Sequence, residues 1–301
     1  MDRFLHFIVN KQSRNSDQVF KSLLLQLAKY TAHYKIYPTK NIEELDQLLN
    51  NMKKTIKDED IIVVVGGDGS LNHFITLYQK YQFKNYISYI PAGSGNDFAR
   101  AHHIPLDTDQ AIENFFRIKE KQTLSFIHAQ ENSSEHYAVN SIGIGIDGLI
   151  NDLVNTQGTK KRFGALAYLS VLVTAFSKQK KFPVLLKTDD SEYEFKKAQL
   201  VLVANNPFFG GGIKILPEAN GKDDELDILI AEDVSFKNLL VIISKILRNK
   251  NHLEHPKLHV FKSKNLHLYV DSNQFGQKDG EVFRQSHYNY SFETKEIPFW
   301  I

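Results

Sequence analysis

Two short glycine-bearing segments hold most of the residues that could do chemistry. The first, Gly66-Gly67-Asp68-Gly69-Ser70, follows five β-branched residues, Ile61 to Val65, and leads into a helical pattern. Glycines permit positive φ and let backbone N–H groups approach an anion with no Cβ in the way. The N-terminus of the following helix adds partial positive charge, so the segment reads as a phosphate cradle. A tight strand-to-helix turn would need the glycines for geometry alone, but Asp68 favours the cradle. A carboxylate beside bound phosphate is repelled unless a divalent cation bridges the two or the acid takes up a proton, and this points to phosphate with Mg2+. One strand later, Pro91-Ala92-Gly93-Ser94-Gly95-Asn96-Asp97 repeats the arrangement, with Asn96 or Asp97 also able to cap a helix. Asp68 and Asp97 are the candidates for organising metal and phosphate.

Both loops need strands that deliver them to one edge of a sheet. Phe4 to Val9 reads as a buried strand, Asp17 to Tyr30 as an amphipathic helix, and Tyr34 to Tyr37 as a short strand. A helix over Asn41 to Met52, capped by Asn41, precedes the strand Ile61 to Val65. A helix from about Leu71 to Tyr81 and a strand from Tyr86 to Ile90 complete an alternation that implies a parallel sheet between helices. Ligands of such sheets bind beyond the carboxyl ends of the strands, where both glycine loops fall, so the two can hold one polyphosphate between them. After Ser125 the rhythm changes. Strand patterns follow one another at Ser125–Ala129, His136–Ile142, Val184–Lys187, Glu194–Ala204, Leu226–Ala231, Leu258–Phe261, Leu266–Val270 and His287–Phe292, with helices mainly at Phe163–Ser177 and Phe236–Arg248. The expected organisation is an α/β domain over residues 1–124 and an antiparallel β-rich domain over 125–301, with the last strand able to return to the first domain.

The segments "GGDGSLN" and "PAGSGNDFAR" together resemble the diacylglycerol kinase catalytic domain family, which includes bacterial soluble diacylglycerol kinases and sphingosine kinases. Serine stands where that family has threonine at Ser70 and Ser94, and either hydroxyl can serve a phosphate. "VNSIGIGIDGLI", "NNPFFGGGIKILPEA", "DDELD" and "QKDGE" continue the likeness in order along nearly the whole chain. The resemblance implies a three-layer α/β/α nucleotide-binding domain, a C-terminal β-sandwich, and an active site in the cleft between them. Carried over by motif, the nucleotide-binding positions are Gly66, Gly67, Asp68, Gly69, Ser70, Leu71, Asn72, Gly93, Ser94 and Asn96, with Thr39 and Asn10 as further matches. Lys11 stands where the family has proline, and the loop that Asn10 opens ends at Asn15 without a glycine. The family's proton acceptor maps to Glu281, which from the local Asp-Gly-Glu pattern alone would read as an exposed hairpin-turn acid. Its structural Mg2+ site maps to Asp223 with the carbonyls of Asn220 and Glu225, beside Asp224 where glycine is usual.

The function so implied is ATP- and Mg2+-dependent phosphorylation of a lipid hydroxyl, diacylglycerol foremost, with another lipid or a soluble alcohol such as NAD as alternative acceptor. A sensor that has lost catalysis is the non-enzymatic reading. The family also implies a homodimer. The remaining sequence narrows the classes. A net charge of +2 gives no global field for nucleic acid. The chain has no cysteine, hence no disulfide or thiolate chemistry, compatible with a reducing compartment. No signal peptide is evident, and the nearly apolar run Ala165 to Phe176 falls short of the ~20 residues a membrane span needs. The expected location is cytoplasmic, peripheral to the inner face of the membrane. The basic clusters Lys160-Lys161-Arg162 and Lys178, Lys180, Lys181 flank that run and read either as a lipid-facing element or as a solvated rim. Gly143-Ile144-Gly145-Ile146-Asp147-Gly148 fits a dinucleotide fingerprint, yet no acidic residue follows from Leu153 to Lys187, so it reads as a structural turn.

Overall fold

The computed structural model describes residues 3–13, 16–30, 33–117, 120–156, 165–248 and 250–301; Asn15 and the cluster Lys160-Lys161-Arg162 lie outside them. In the first domain, β1 (Phe4–Asn10), β2 (His33–Thr39), β3 (Ile61–Gly66) and β4 (Tyr86–Pro91) form a parallel sheet in the order β2-β1-β3-β4. The β-branched run of β3 is almost fully buried, as a central strand covered on both faces requires. The helices are α1 (Ser16–Leu27), α2 (Ile42–Met52), α3 (Asp68–Lys80), the short α4 (Asp97–Ala101) and α5 (Thr108–Arg117), with α1 packed on α5 and α2 on α3. Asn41 caps α2 by accepting the Glu44 N–H at 2.8 Å.

The second domain is a β-sandwich-like unit. Its elements are β5 (Lys121–Glu131), β6 (Ser134–Ala138), β7 (Ser141–Gly145), α6 (Ile146–Thr156), α7 (Ala165–Lys178), β8 (Phe182–Thr188), β9 (Glu192–Ala204), β10 (Phe208–Phe209), β11 (Ile213–Lys214), β12 (Leu226–Glu232), α8 (Phe236–Leu247), β13 (Leu258–Ser263), β14 (Leu266–Val270), β15 (Gln274–Lys278), β16 (Glu281–Gln285) and β17 (Tyr288–Trp300). Neighbouring strands within it pair antiparallel. β9 serves β8 with its first half and both β7 and β12 with its second, so one long strand feeds two parts of the sheet. β17 behaves likewise. Tyr288–Phe292 pairs with β14, Ser291–Trp300 pairs with β5, and Phe299 meets Ile87 of β4 in parallel register. The end of the chain thus joins the first domain's sheet, and Ile297, Phe299 and Trp300 are part of that domain's core.

Several elements differ from the sequence pattern. α3 begins at Asp68, three residues before the apolar periodicity starts, which places the aspartate in the first turn of the helix. The single strand expected over His136–Ile142 divides into β6 and β7 around Val139-Asn140, whose N–H groups turn toward Asp279. α5, α6 and the β15–β16 hairpin are further elements beyond those expected from the sequence. α6 starts directly after Gly145, whose φ of 95° closes β7. A Cβ at Gly145 would sit 2.4 Å from the Gln199 carbonyl oxygen, and one at Gly148 would sit 2.6 Å from the Phe275 carbonyl carbon. These glycines allow close backbone packing, as a structural turn requires.

Candidate active site

The carboxyl ends of β3 and β4 bring the two glycine loops into direct contact. A Cβ on Gly93 would lie 2.6 Å from the Gly67 Cα, so Gly93 admits no side chain where the loops cross. The Gly66 carbonyl locks the crossing by accepting the Ala92 N–H at 2.7 Å and the Tyr89 hydroxyl at 2.9 Å. Asp68 then reaches across: Oδ2 accepts the Asp97 N–H and Oδ1 the Phe98 N–H, both at 3.1 Å. α4 is therefore capped by a carboxylate from the other loop, not by Asn96. That residue takes a left-handed φ of 52° and folds its amide onto Gly93, accepting the Gly93 N–H at 3.0 Å and donating to its carbonyl at 3.2 Å. The Asn96 amide thus locks the turn.

Asp97 is 7% exposed and accepts the Gly211 N–H at 2.9 Å through Oδ2. Its Oδ1 is buried with no partner among the described residues. Burial pushes the Asp97 carboxyl above the ordinary range and the charge of Asp68 adds to it, opposed by the N–H of Gly211. Burial raises Asp68 too, against the two N–H groups that it caps. Two adjacent desolvated acids, one with an orphaned oxygen, fit a divalent cation held together with phosphate oxygens.

Two spaces open from this point. A pocket of about 330 Å³ lies on the side of β1 and α2, lined by Asn10, Thr39, Asn41, Val65, Ser70 and His73 among others. Asn10 donates to the Ser70 hydroxyl at 2.8 Å, linking the β1 loop to the first glycine loop. A larger cleft of about 540 Å³ lies between the domains. Its polar side carries Gly67, Asp68, Gly69, Ser94 and Asp97, and its apolar side carries Ile150, Val154, Val171, Phe208 and Phe209. A Cβ at Gly69 would meet nothing within 4 Å, so the loop is open there.

Two expected ligand positions turn their side chains into the protein. Leu71 is fully buried in the core, so its side chain meets no ligand. Asn72 is 2% exposed and spans the domain boundary, donating to the Tyr137 carbonyl at 2.8 Å and to Asp279 Oδ2 at 2.6 Å. Asp279 is a site residue that sequence reasoning missed. It also accepts the N–H groups of Val139, Asn140 and Ser141 at 2.6, 2.8 and 3.0 Å. Burial nonetheless pushes its carboxyl up to about 6. Positive φ at Asp279 (45°) and Gly280 (86°) fits the two-residue turn that an Asp-Gly pair signals between β15 and β16.

Glu281 follows that turn but does not line the large cleft. Its Oε1 lies 2.5 Å from Nε2 of His73, one turn along α3 from the glycine loop, with the glutamate side chain half exposed. The hydrogen bond from His73 holds the Glu281 carboxyl below its ordinary value. His73 carried no sequence signal. Only the fold brings α3 and β16 together.

The turn Asn220–Glu225 is occupied by lysines. Asp223 pairs with Lys262 at 2.9 Å, Glu225 with the same ammonium at 3.5 Å, and Asp224 with Lys264 at 2.6 Å. The Asn220 carbonyl accepts the Asp223 N–H at 3.3 Å. The acids of this turn are thus paired with lysine ammoniums, and no chemical step is assigned to it. No group of three or more His, Asp or Glu side chains among the described residues is spaced to hold a metal.

Comparison with known proteins agrees with this architecture. Residues 5–127 match the model of the diacylglycerol kinase catalytic domain, and residues 140–293 that of the YegS C-terminal NAD kinase beta sandwich-like domain. The chain is 27% identical over 291 residues to the Bacillus subtilis (strain 168) protein named "Putative lipid kinase YtlR", covering 92% of each. It is 27% identical over 273 residues to "Putative lipid kinase SA0681" of Staphylococcus aureus (strain N315), covering 89% of this chain and 87% of that one. A crystal structure of a diacylglycerol kinase from Bacillus anthracis str. Sterne superposes with a TM-score of 0.71 at 18% identity, covering 99% of this chain and 96% of that one. With residues 5–127 matching the catalytic domain and residues 140–293, about half of the chain, the β-sandwich domain, this protein belongs to the diacylglycerol kinase-like family of lipid kinases.

Proposed function

We propose that this protein transfers the γ-phosphate of ATP to a lipid hydroxyl, with diacylglycerol as the foremost acceptor. The observation that carries the reading is the two-sided cleft: phosphate-cradling loops and two raised carboxyls face an apolar wall from α6, α7 and the β10–β11 hairpin. A soluble alcohol would need no such wall, whereas an acyl chain would be desolvated along it. The phosphates lie over the start of α3, where the backbone N–H groups of the first turn and the helix dipole favour negative charge. Asp97, with Asp68 beside it, would hold a divalent cation, which would supply charge neutralisation for the transferring phosphoryl group. Asp68 fixes the second loop against the first, so the donor phosphates and the acceptor meet on a rigid floor. Glu281 is the proton acceptor for the lipid hydroxyl. Its pairing with His73 holds its carboxyl below the ordinary value, and its side chain is half exposed.

The test is incubation of the purified protein with labelled ATP, Mg2+ and vesicles carrying candidate lipids, with NAD in lipid-free solution as a parallel arm. Labelled phosphatidic acid is expected, and Glu281→Gln and Asp68→Asn are expected to lower its formation by about 10²-fold or more. Label in no lipid, or turnover equal to the parent's in both variants, would end this reading.

A further inference from the structure

α8 carries two apolar stripes, and the fold uses one. Leu239, Ile242 and Ile246 face inward onto Ala231 and Val234. Phe236, Leu240, Ile243 and Leu247 recur at helical spacing on a second line. Phe236 and Leu240 are each 46% exposed and Leu247 is 76% exposed. A helix packed against a domain normally turns charge to solvent on that side. Here the flanking charges are Lys237, Lys245, Arg248 and Lys250, and no acidic residue occurs from Val234 to Leu253. Lys178 and Lys180, exposed at the end of α7, lie near the start of α8, because the Phe176 ring meets that of Phe236 at 6.2 Å. With a net charge of only +2 on the whole chain, this is a local concentration of positive charge around exposed apolar side chains.

That combination selects one kind of partner. A second copy of the chain seated here would bring the same cations against themselves, since a two-fold interface pairs one patch with its own image. An anionic bilayer instead takes the apolar line into the acyl boundary and the ammonium and guanidinium groups to its headgroups. Position supports this too. α7 carries Val171 on the apolar wall of the cleft and, further along, Phe176 against α8, so the cleft and the exposed stripe share one helix as their support. No described helix is long and apolar enough to cross a membrane, so contact through α8 would be interfacial.

We propose that the Phe236–Leu240–Leu247 face of α8, with Lys237 and Arg248 beside it, docks this protein on anionic lipid surfaces, in an orientation that presents the interdomain cleft to lipid. This rests on the lipid-kinase reading for its purpose but not for its measurement. The experiment is sedimentation of the full chain with phosphatidylcholine vesicles, with and without phosphatidylglycerol, in the absence of nucleotide and acceptor. The parent is expected to bind the anionic vesicles, less so as salt rises. The pair Leu240→Ser, Leu247→Ser and the pair Lys237→Glu, Arg248→Glu are each expected to weaken binding about tenfold or more. Since the altered side chains are exposed, melting temperatures should stay near that of the parent. Turnover on a detergent-dispersed acceptor, read in parallel, should be the same in both variants as in the parent. Unchanged vesicle binding in both variants overturns the proposal. So does a change of oligomeric state in the serine variant by sedimentation velocity, which would make the stripe a contact between copies. If the parent binds vesicles through α8 but phosphorylates nothing, docking stands and the kinase reading falls.

Discussion

Asp97 is where structure and chemistry pull hardest against each other. Its Oδ2 accepts the Gly211 N–H, while its Oδ1 is buried without a partner beside a second acid. Both aspartates are raised above the ordinary value of about 3.9, so the folded chain keeps protons that the unfolded chain releases. Their favourable contribution is whole below that value and fades as pH rises through the raised folded values. Asp97→Asn keeps an oxygen for Gly211 and removes one buried charge. The variant is expected to gain stability relative to the parent as pH rises, by about 1–2 kcal/mol near pH 8, with little gain near pH 4. Turnover should fall about 10²–10³-fold. Urea melts at both pH values with a parallel kinase assay check this, and a variant less stable than the parent near pH 8 would contradict it. At this scale Asp68 and Asp97 are legible in the sequence because glycine spacing marks them. Asp279 and His73 are not, since each acquires its partner from an element far along the chain.

At the scale of elements, the site depends on two loops whose backbones touch. Gly93→Ala would place a Cβ 2.6 Å from the Gly67 Cα and 2.8 Å from the Asn96 Oδ1. Neither neighbour can retreat freely, since the Gly66 carbonyl is bonded to Ala92 and Tyr89 and Asn96 is closed onto Gly93. A loss of about 1–3 kcal/mol in stability is expected, with weaker ATP binding because the cradle opens. Gly69→Ala is the control: its Cβ meets nothing within 4 Å, and in the first turn of α3 it should leave stability unchanged or slightly higher. Thermal melts together with ATP titration separate the two, and equal melting temperatures for both variants would show that the loops are not in tight contact. The βα rhythm of the first domain is readable because its strands are buried on both faces and its helices are amphipathic. α6 is hidden by the glycines around it, and the β15–β16 hairpin by its mixture of polar residues, Gln274, Gln277 and Lys278 among them.

At the scale of the whole molecule, the two domains are joined twice over near the site. Asn72 of α3 donates to Asp279 of the β15–β16 turn, and that carboxylate also gathers the N–H groups of Val139, Asn140 and Ser141. β17 pairs with β14 and β5 in the second domain and, at Phe299, with β4 of the first. The chain's one tryptophan, Trp300, lies 6% exposed in the core of the first domain at the end of that shared strand. Its emission therefore reports on the first domain's core, while far-UV circular dichroism is weighted by the many strands of the second. If the domains were independent, the first could melt while β17 stayed paired with β14, and the two signals would separate. Because the strand and the Asn72–Asp279 bond cross the boundary, melting one domain strips hydrogen bonds and buried side chains from the other. Urea transitions followed by Trp300 emission and by circular dichroism are expected to share one midpoint. Asn72→Ala should lower both midpoints together, by about 1–3 kcal/mol of stability, since it leaves Asp279 short of a donor in a buried place. A tryptophan transition that precedes the circular dichroism change in the parent would show the domains to be uncoupled, and with them the rigid floor on which donor and acceptor are held to meet.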